Sequence, residues 1–451
     1  MSENNLSHGL KTRHLTMMGL GSAIGAGLFL GTGVGIQVAG PAVLIAYIIA
    51  GALIVCVMQM LGELAAARPS SGSFAEYARQ AFGHWAGFSL GWLYWFMLTM
   101  VLGAEMTGAA AIIGAWFNVA PWIPALICVI IFAVINLAQV EGFGEFEFWF
   151  AFIKVAVIIG FLIIGVLLIF GLLPGHSYIG TDIFASSDFM PNGIAGVAAG
   201  LLAVAFAFGG IEIVTIAAAE SRDPKTAIAT AVRSVIWRIS FFYIGSVLII
   251  CFLLPYSQIS GAESAAESPF TMVLSQANIP GVVGFMELVI VLSLLSAFNA
   301  QIYATSRMVH NFAQRGDAPK IFSMTNVSGV PIFAVLLSMV FAFASVGLQY
   351  WNPPGLLTFL LNAVGGCLIV LWLIVTLAHI KLRPELKQNN ELATIRMWGY
   401  PWLSWLTFLG LVALTILMLF DPSSRQQIFA VSAMFVGLIV VSFFVKKPQV
   451  G

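Results

Sequence analysis

The sequence predicts an all-α integral membrane protein: twelve transmembrane helices, ten of them in two five-helix units of opposite orientation and two following. Three observations predict it. Of 451 residues only 8% are charged and 60% are hydrophobic, whereas an ordinary globular domain carries about 25% charged residues. Apolar runs of 18 residues or more recur to the end of the chain, each long enough to cross a bilayer as a helix. The first and sixth runs are each interrupted by glycine. The period-2 alternation of a transmembrane barrel is absent.

The spans read at about 16–38, 41–66, 85–117, 122–139, 145–171, 194–219, 230–254, 280–312, 331–349, 355–381, 400–420 and 427–445. Two short amphipathic pieces, 73–81 and 269–277, are expected to rest at the interface. Lys and Arg set the orientation. With the N-terminus in the cytoplasm, 17 of the 19 basic residues fall at the inner side; Arg425 lies outside and Lys154 lies in a span. Both termini are then cytoplasmic. The organisation is a tail over 1–15, a first unit over 16–171, a second, inverted unit over 194–381, helices 11 and 12 over 400–445, and a tail over 446–451.

Net charge is zero, which gives no electrostatic footprint for nucleic acid. Cys56, Cys128, Cys251 and Cys367 all sit in apolar runs and read as buried small hydrophobes. No metal-ligand spacing, cofactor motif or nucleophile–base pair appears, so no metal, cofactor or catalytic residue is expected. No Walker-type loop is present for ATP. The polar N-terminus does not read as a cleavable signal.

Span 1 contains Gly21-Ser22-Ala23-Ile24-Gly25-Ala26-Gly27. Each glycine costs about 1 kcal/mol relative to alanine in a helix interior. Three in seven residues invite the backbone to open, which a membrane tolerates only where the chain lines a cavity or meets a ligand. A small-residue packing face is the plainer reading. Span 6 holds a second break, Phe206-Ala207-Phe208-Gly209-Gly210-Ile211-Glu212. Five spans separate the two, so span 6 enters from the opposite side, and paired broken helices mark a midplane site in a transporter. A half-helix after a break presents amides and a positive dipole end, suited to a carboxylate. One before a break presents carbonyls, suited to an ammonium. Amides near Gly25, Ala26 and Gly27, with carbonyls near Ala207, Phe208 and Gly209, describe a receptor for a zwitterion such as an amino acid.

Lys154 lies about 13 Å into span 5 at 1.5 Å per residue, far for a snorkelling side chain. A charge there is costly. It reads as a proton-coupling residue or as a fixed positive charge in place of a sodium ion. Glu105, near the middle of span 3, either faces the substrate, accepts the coupling proton or pairs structurally. Glu212 beside the second break is a further coupling candidate. Glu63 and Glu220 end spans 2 and 6 near the cytoplasm, where inner-gate or structural contacts are expected rather than substrate binding. Phe206 or Phe208 is placed to close over a ligand, or simply packs. Met97, Met100, Phe206, Phe298 and Leu360 are expected near the substrate side chain and point to a neutral one.

The stretches Gly9 to His14 and Gly19 to Gly31 resemble the opening of bacterial amino acid permeases, of the amino acid–polyamine–organocation superfamily in its amino acid transporter branch. Gly62-Glu63-Leu64-Ala65, Gly72 to Ala78, Gly91-Trp92-Leu93-Tyr94-Trp95, Ser234 to Ile239 and Tyr303 to Met308 are also similar, in the same order. Leu93 stands where an asparagine is often seen. The resemblance implies a five-plus-five inverted-repeat (LeuT-like) fold with broken helices 1 and 6 and two added C-terminal helices. It implies a substrate carboxylate on the amides of Gly25, Ala26 and Gly27, and an ammonium on the carbonyls of Ala23, Phe206, Ala207 and Gly209. It gives Phe206 a gating role and Lys154 the place of a sodium ion. Ala26 departs from relatives with serine there, which removes a hydroxyl and leaves the amide.

The expectation is a secondary transporter, not an enzyme. It would import a neutral amino acid across the plasma (cell inner) membrane by alternating access with proton symport. A bundle of spans 1, 2, 6 and 7 would rock against spans 3, 4, 8 and 9. Amino acid exchange, or a non-transporting amino acid sensor on the same fold, are the alternatives. Its partners would be the amino acid, the coupling proton and the lipid bilayer; nothing in the sequence sets an oligomeric state.

Overall fold

The computed structural model describes residues 24–70, 73–138, 143–178, 189–210, 224–259, 268–326, 329–392 and 395–445, and these are helical with no strand. Span 1 is described from Ile24. A π-helical turn, Gly27–Gly31, leads into α1 (Thr32–Ala39), and a 3-10 turn at Gly40–Ala42 reverses the chain into α2 (Val43–Ala67). Gly40 makes that reversal with φ of 65°, a conformation that suits glycine. The amphipathic α3 (Ser73–Phe82) follows, then α4 (His84–Phe117), α5 (Trp122–Ala138), α6 (Phe143–Ile169) and α7 (Gly193–Ala207).

The second half begins with α8 (Pro224–Trp237), which runs through a second π segment, Arg238–Gly245, into α9 (Ser246–Leu253). The interfacial α10 (Pro269–Gln276) precedes α11 (Val282–Arg315), α12 (Ile332–Trp351), α13 (Leu356–Gln388), α14 (Trp402–Met418) and α15 (Pro422–Phe444). Seven helical stretches among the described residues are long and apolar enough to cross a membrane, with α1 and α2 counted together, and four shorter apolar helices accompany them. Both amphipathic pieces form helices within a residue of their predicted bounds.

The core is organised around α4. It packs on α11, α13, α3, α15, α12 and α5, and its apolar residues run all round it, as expected of a helix enclosed by others. Around it the two broken helices meet: α1 packs on α7, and α7 also packs on α13 and α2. The most apolar stretches of α6 and α15 are only 28% and 11% buried. Their outward side chains, such as Trp149, Ile163, Phe429 and Phe443, have a hydrocarbon solvent to face.

Ion pairs collect where α2, α3, α4, α11 and α13 converge. Arg68 bridges Glu385 and Glu391, each at 2.8 Å. Arg79 meets Asp317 at 2.6 Å, with His84 on its other oxygen at 2.8 Å. Deeper in, Glu63 is fully buried. It takes Arg383 at 2.9 Å, His379 at 3.0 Å and the Met397 N–H at 2.7 Å. A buried carboxylate needs such partners, since desolvating it alone is prohibitive. Glu63 is therefore an end anchor between α2 and α13, the structural contact expected for it; Glu220 lies outside the described residues.

Candidate functional site

Both glycine breaks leave their mark on the backbone. Ile24 and Gly25, just before Ala26, are not helical. The Leu28 and Phe29 amides then donate to the Gly25 carbonyl at 3.2 and 3.1 Å, which starts the half-helix running to Ala39. At the other break α7 stops at Ala207. The Phe208 and Gly209 amides close its end on the carbonyls of Ala205 and Phe206, at 3.1 and 2.9 Å, and Gly210 turns away with φ of 86°. A helix start and a helix end thus face each other. They nearly touch: a Cβ on Gly27 would lie 3.0 Å from the Ala207 Cα and 3.2 Å from the Phe206 carbonyl oxygen.

Between them is a small cavity of about 30 Å³, enough for one or two water molecules. Gly25, Gly27, Phe206, Ala207, Gly209 and Gly210 form its main-chain wall. α4 contributes Met97, Leu98, Val101 and Glu105, α11 contributes Gln301, and α13 contributes Val364. Five of the seven predicted substrate contacts line it. Ala26 is joined to it through its amide, and Ala23 lies outside the described residues, as does Glu212.

The main electrostatic feature is Glu105, buried with 4% exposure. The Ala26 N–H donates to both of its carboxylate oxygens, each at 3.1 Å. The amide that sequence reasoning reserves for a substrate carboxylate thus holds a carboxylate of the protein's own. The fit needs Gly25, where a Cβ would sit 2.6 Å from the Glu105 Oε1. Lys154 on α6 is also buried, at 3% exposure, and its charge acts on the Glu105 carboxylate. The two ionisable residues that the sequence singled out are thus electrostatic partners.

The two aromatic candidates separate. Phe206 lines the cavity, whereas Phe208 is a core residue between Tyr47 and Tyr243, with ring centroids 5.7 and 5.3 Å away. Of the apolar neighbours expected near the substrate, Met97 and Phe206 line the cavity. Phe298 instead packs on Phe132 at 5.5 Å, and Leu360 covers Gly103. Leu98, Val101, Gln301 and Val364 were not anticipated. Val101 and Met97 stand four and eight residues before Glu105, on the same helix face. That spacing names both once Glu105 is placed in the site. Gln301 carried no such signal. Its Oε1 is buried with no hydrogen-bond partner among the described residues.

Above the cavity the π turn is held from outside the half-helix. Ser268 Oγ donates to the Phe29 carbonyl at 2.9 Å, and Phe270 packs between Phe29 and Phe161 at 5.2 and 4.6 Å. No group of three or more His, Cys, Asp or Glu residues is placed to hold a metal ion among the described residues.

Broken helices that enclose a polar-walled cavity within a sheath of apolar helices define a multi-pass membrane transporter. The same fold is found in the crystal structure of a manganese transporter from Eremococcus coleocola, with a TM-score of 0.54 and 16% identity over 96% of this chain and 93% of that one. The chain belongs to the amino acid permease family, whose sequence pattern matches residues 14–448. It is a transporter and not an enzyme. It is 70% identical over 443 residues to the aromatic amino acid transport protein AroP of Corynebacterium glutamicum, covering 98% of this chain and 96% of that one. It is 38% identical to the gamma-aminobutyric acid permease of Bacillus subtilis, over 99% of this chain and 95% of that one. It is 33% identical to the AroP of Escherichia coli strain K12, over 98% and 96%.

Proposed function

We propose that this permease imports aromatic amino acids across the bacterial inner membrane by alternating access, with proton symport. The single observation that carries the reading is the cavity between the start of the α1 half-helix and the end of α7. Its amides suit the carboxylate common to all amino acids, and the C-terminal carbonyls of α7 suit the ammonium. Met97, Leu98, Val101, Phe206 and Val364 line it with apolar side chains that suit a ring once the site opens around it. The strong likeness to a protein described as transporting aromatic amino acids supports the same side-chain choice. The more distant likeness to gamma-aminobutyric acid permeases supports the two-ended head-group site, in which the distance between charges can vary.

In this reading Gly25, Ala26 and Gly27 receive the carboxylate, and Ala23, Phe206, Ala207 and Gly209 receive the ammonium. Phe206 closes the site. Lys154, with Glu105 and Glu212, couples transport to the proton. The ion-paired end of α2 and α13 lies in the cytoplasm, as the excess of Lys and Arg favours, and the two five-helix units are inverted repeats. The test is uptake of radiolabelled L-phenylalanine, L-tyrosine, L-tryptophan and γ-aminobutyrate into proteoliposomes under separate proton and sodium gradients. Saturable uptake of the three aromatics that collapses with a proton ionophore is expected. Uptake that ignores the ionophore and requires internal amino acid replaces symport with exchange, and uptake of γ-aminobutyrate alone removes the aromatic assignment.

A further inference from the structure

We propose that the Glu105 carboxylate is a tethered competitor of the substrate, holding the Ala26 amide until an amino acid carboxylate displaces it. The proposal rests on the preceding reading of Gly25 to Gly27 as the carboxylate end of the site, and adds a device that regulates it.

Three observations carry it. First, Glu105 reaches the amide from α4, 79 residues away in sequence, so it is not a local cap of the half-helix. Second, one N–H is divided between two oxygens at 3.1 Å each. Charge-assisted N–H to carboxylate bonds run at about 2.7–2.9 Å when strong, so the bond is a long one and suited to exchange. Third, the carboxylate, Gly25 and Gly27 line one cavity. A second carboxylate entering there meets the first, and like charges in one place disfavour each other. Lys154 acts on the same carboxylate and supplies a counter-charge when the amide is taken.

In the exchange one N–H···O bond, from Ala26 to Glu105, breaks, and one, from Ala26 to the substrate, forms. The apparent affinity for an amino acid is thereby scaled down by the fraction of molecules in which the amide is free, about one tenth for a tenfold effect. A weak site releases its cargo, which a transporter requires. A ligand with the ring and the ammonium but no carboxylate has nothing to displace, and its binding is independent of the competition.

The test compares binding of L-phenylalanine and 2-phenylethylamine, by calorimetry, to the purified full chain as wild type, Glu105→Ala and Glu105→Gln. Melting temperatures are recorded for all three. For L-phenylalanine, Glu105→Ala is expected to bind about tenfold tighter, since the occupied fraction no longer subtracts from affinity. Glu105→Gln, which keeps the shape and loses the charge, shifts in the same direction by less. 2-Phenylethylamine is expected to change less than about twofold. Propionate is expected to compete with L-phenylalanine in Glu105→Ala, where it fills the vacated place, and not in wild type. Unchanged or weaker L-phenylalanine binding in the folded variants, or parallel weakening of both ligands, overturns the competitor role. Wild-type protein that binds no L-phenylalanine overturns the aromatic reading and the proposal with it.

Discussion

Gly25 has no side chain because Glu105 fills the place where one would go. Gly25→Ala is expected to press on the Glu105 Oε1, 2.6 Å from the new Cβ. Overpacking of this kind costs about 1–3 kcal/mol, so the variant should melt at a lower temperature and lose the Ala26 to Glu105 contact. Lys154 stands for the opposite kind of residue, visible because it breaks a rule. A lysine in an apolar span is costly, and its burial beside Glu105 gives that cost a purpose. Lys154→Ala is expected to abolish accumulation driven by a proton gradient while exchange down a concentration gradient persists. Undiminished accumulation would remove the coupling role. Gln301 marks the limit of residue-level reading, since a glutamine in the C-terminal half of a long helix looks like surface. Its unpartnered oxygen can accept from a ring N–H or O–H. Gln301→Leu is therefore expected to raise KM for L-tryptophan and L-tyrosine several-fold more than for L-phenylalanine, by the roughly 1 kcal/mol of one hydrogen bond, as read by competition of uptake.

Among the elements, helices and their ends were largely legible. Long apolar runs fix where helices lie, because an unpaired backbone is too costly in hydrocarbon, and most observed bounds fall within a few residues of those expected, though α8 begins six residues early and α13 runs seven residues further. Glycine clusters gave the position of both breaks for the same reason. What the sequence concealed is which faces meet. Phe206 and Phe208 are equal as residue types, yet the end of α7 sends one into the cavity and the other between Tyr47 and Tyr243. The end anchor of α2 and α13 was equally hidden, since Glu63, His379 and Arg383 are joined only by the fold. Removing one partner of such a buried pair costs about 3–5 kcal/mol. Arg383→Ala is expected to destabilise the protein by that amount, measured as the shift in denaturation midpoint in detergent. A shift below about 0.5 kcal/mol would make the pair a surface-like contact.

For the whole molecule, composition alone assigns the membrane, and the paired glycine breaks point to a transporter. Substrate identity was not legible, because main-chain recognition reads the head group and is blind to the side chain. Orientation remains a matter of charge. Single cysteines at Asn389 and Val119, in a chain lacking the four native ones, are expected to label from opposite faces of membrane vesicles, with Asn389 at the inner face. Labelling of both from one face would break the positive-inside assignment.

In the proposed mechanism an amino acid is gripped where the two broken helices face each other. Saturable uptake of radiolabelled L-phenylalanine by proteoliposomes of wild type and Gly27→Val, matched for folded protein by melting curve, tests it most directly. A side chain at Gly27 would enter the space between the Ala207 Cα and the Phe206 carbonyl, 3.0 and 3.2 Å from its Cβ. Uptake by the wild type and its loss in the folded variant are expected; equal uptake by the two would place the amino acid elsewhere.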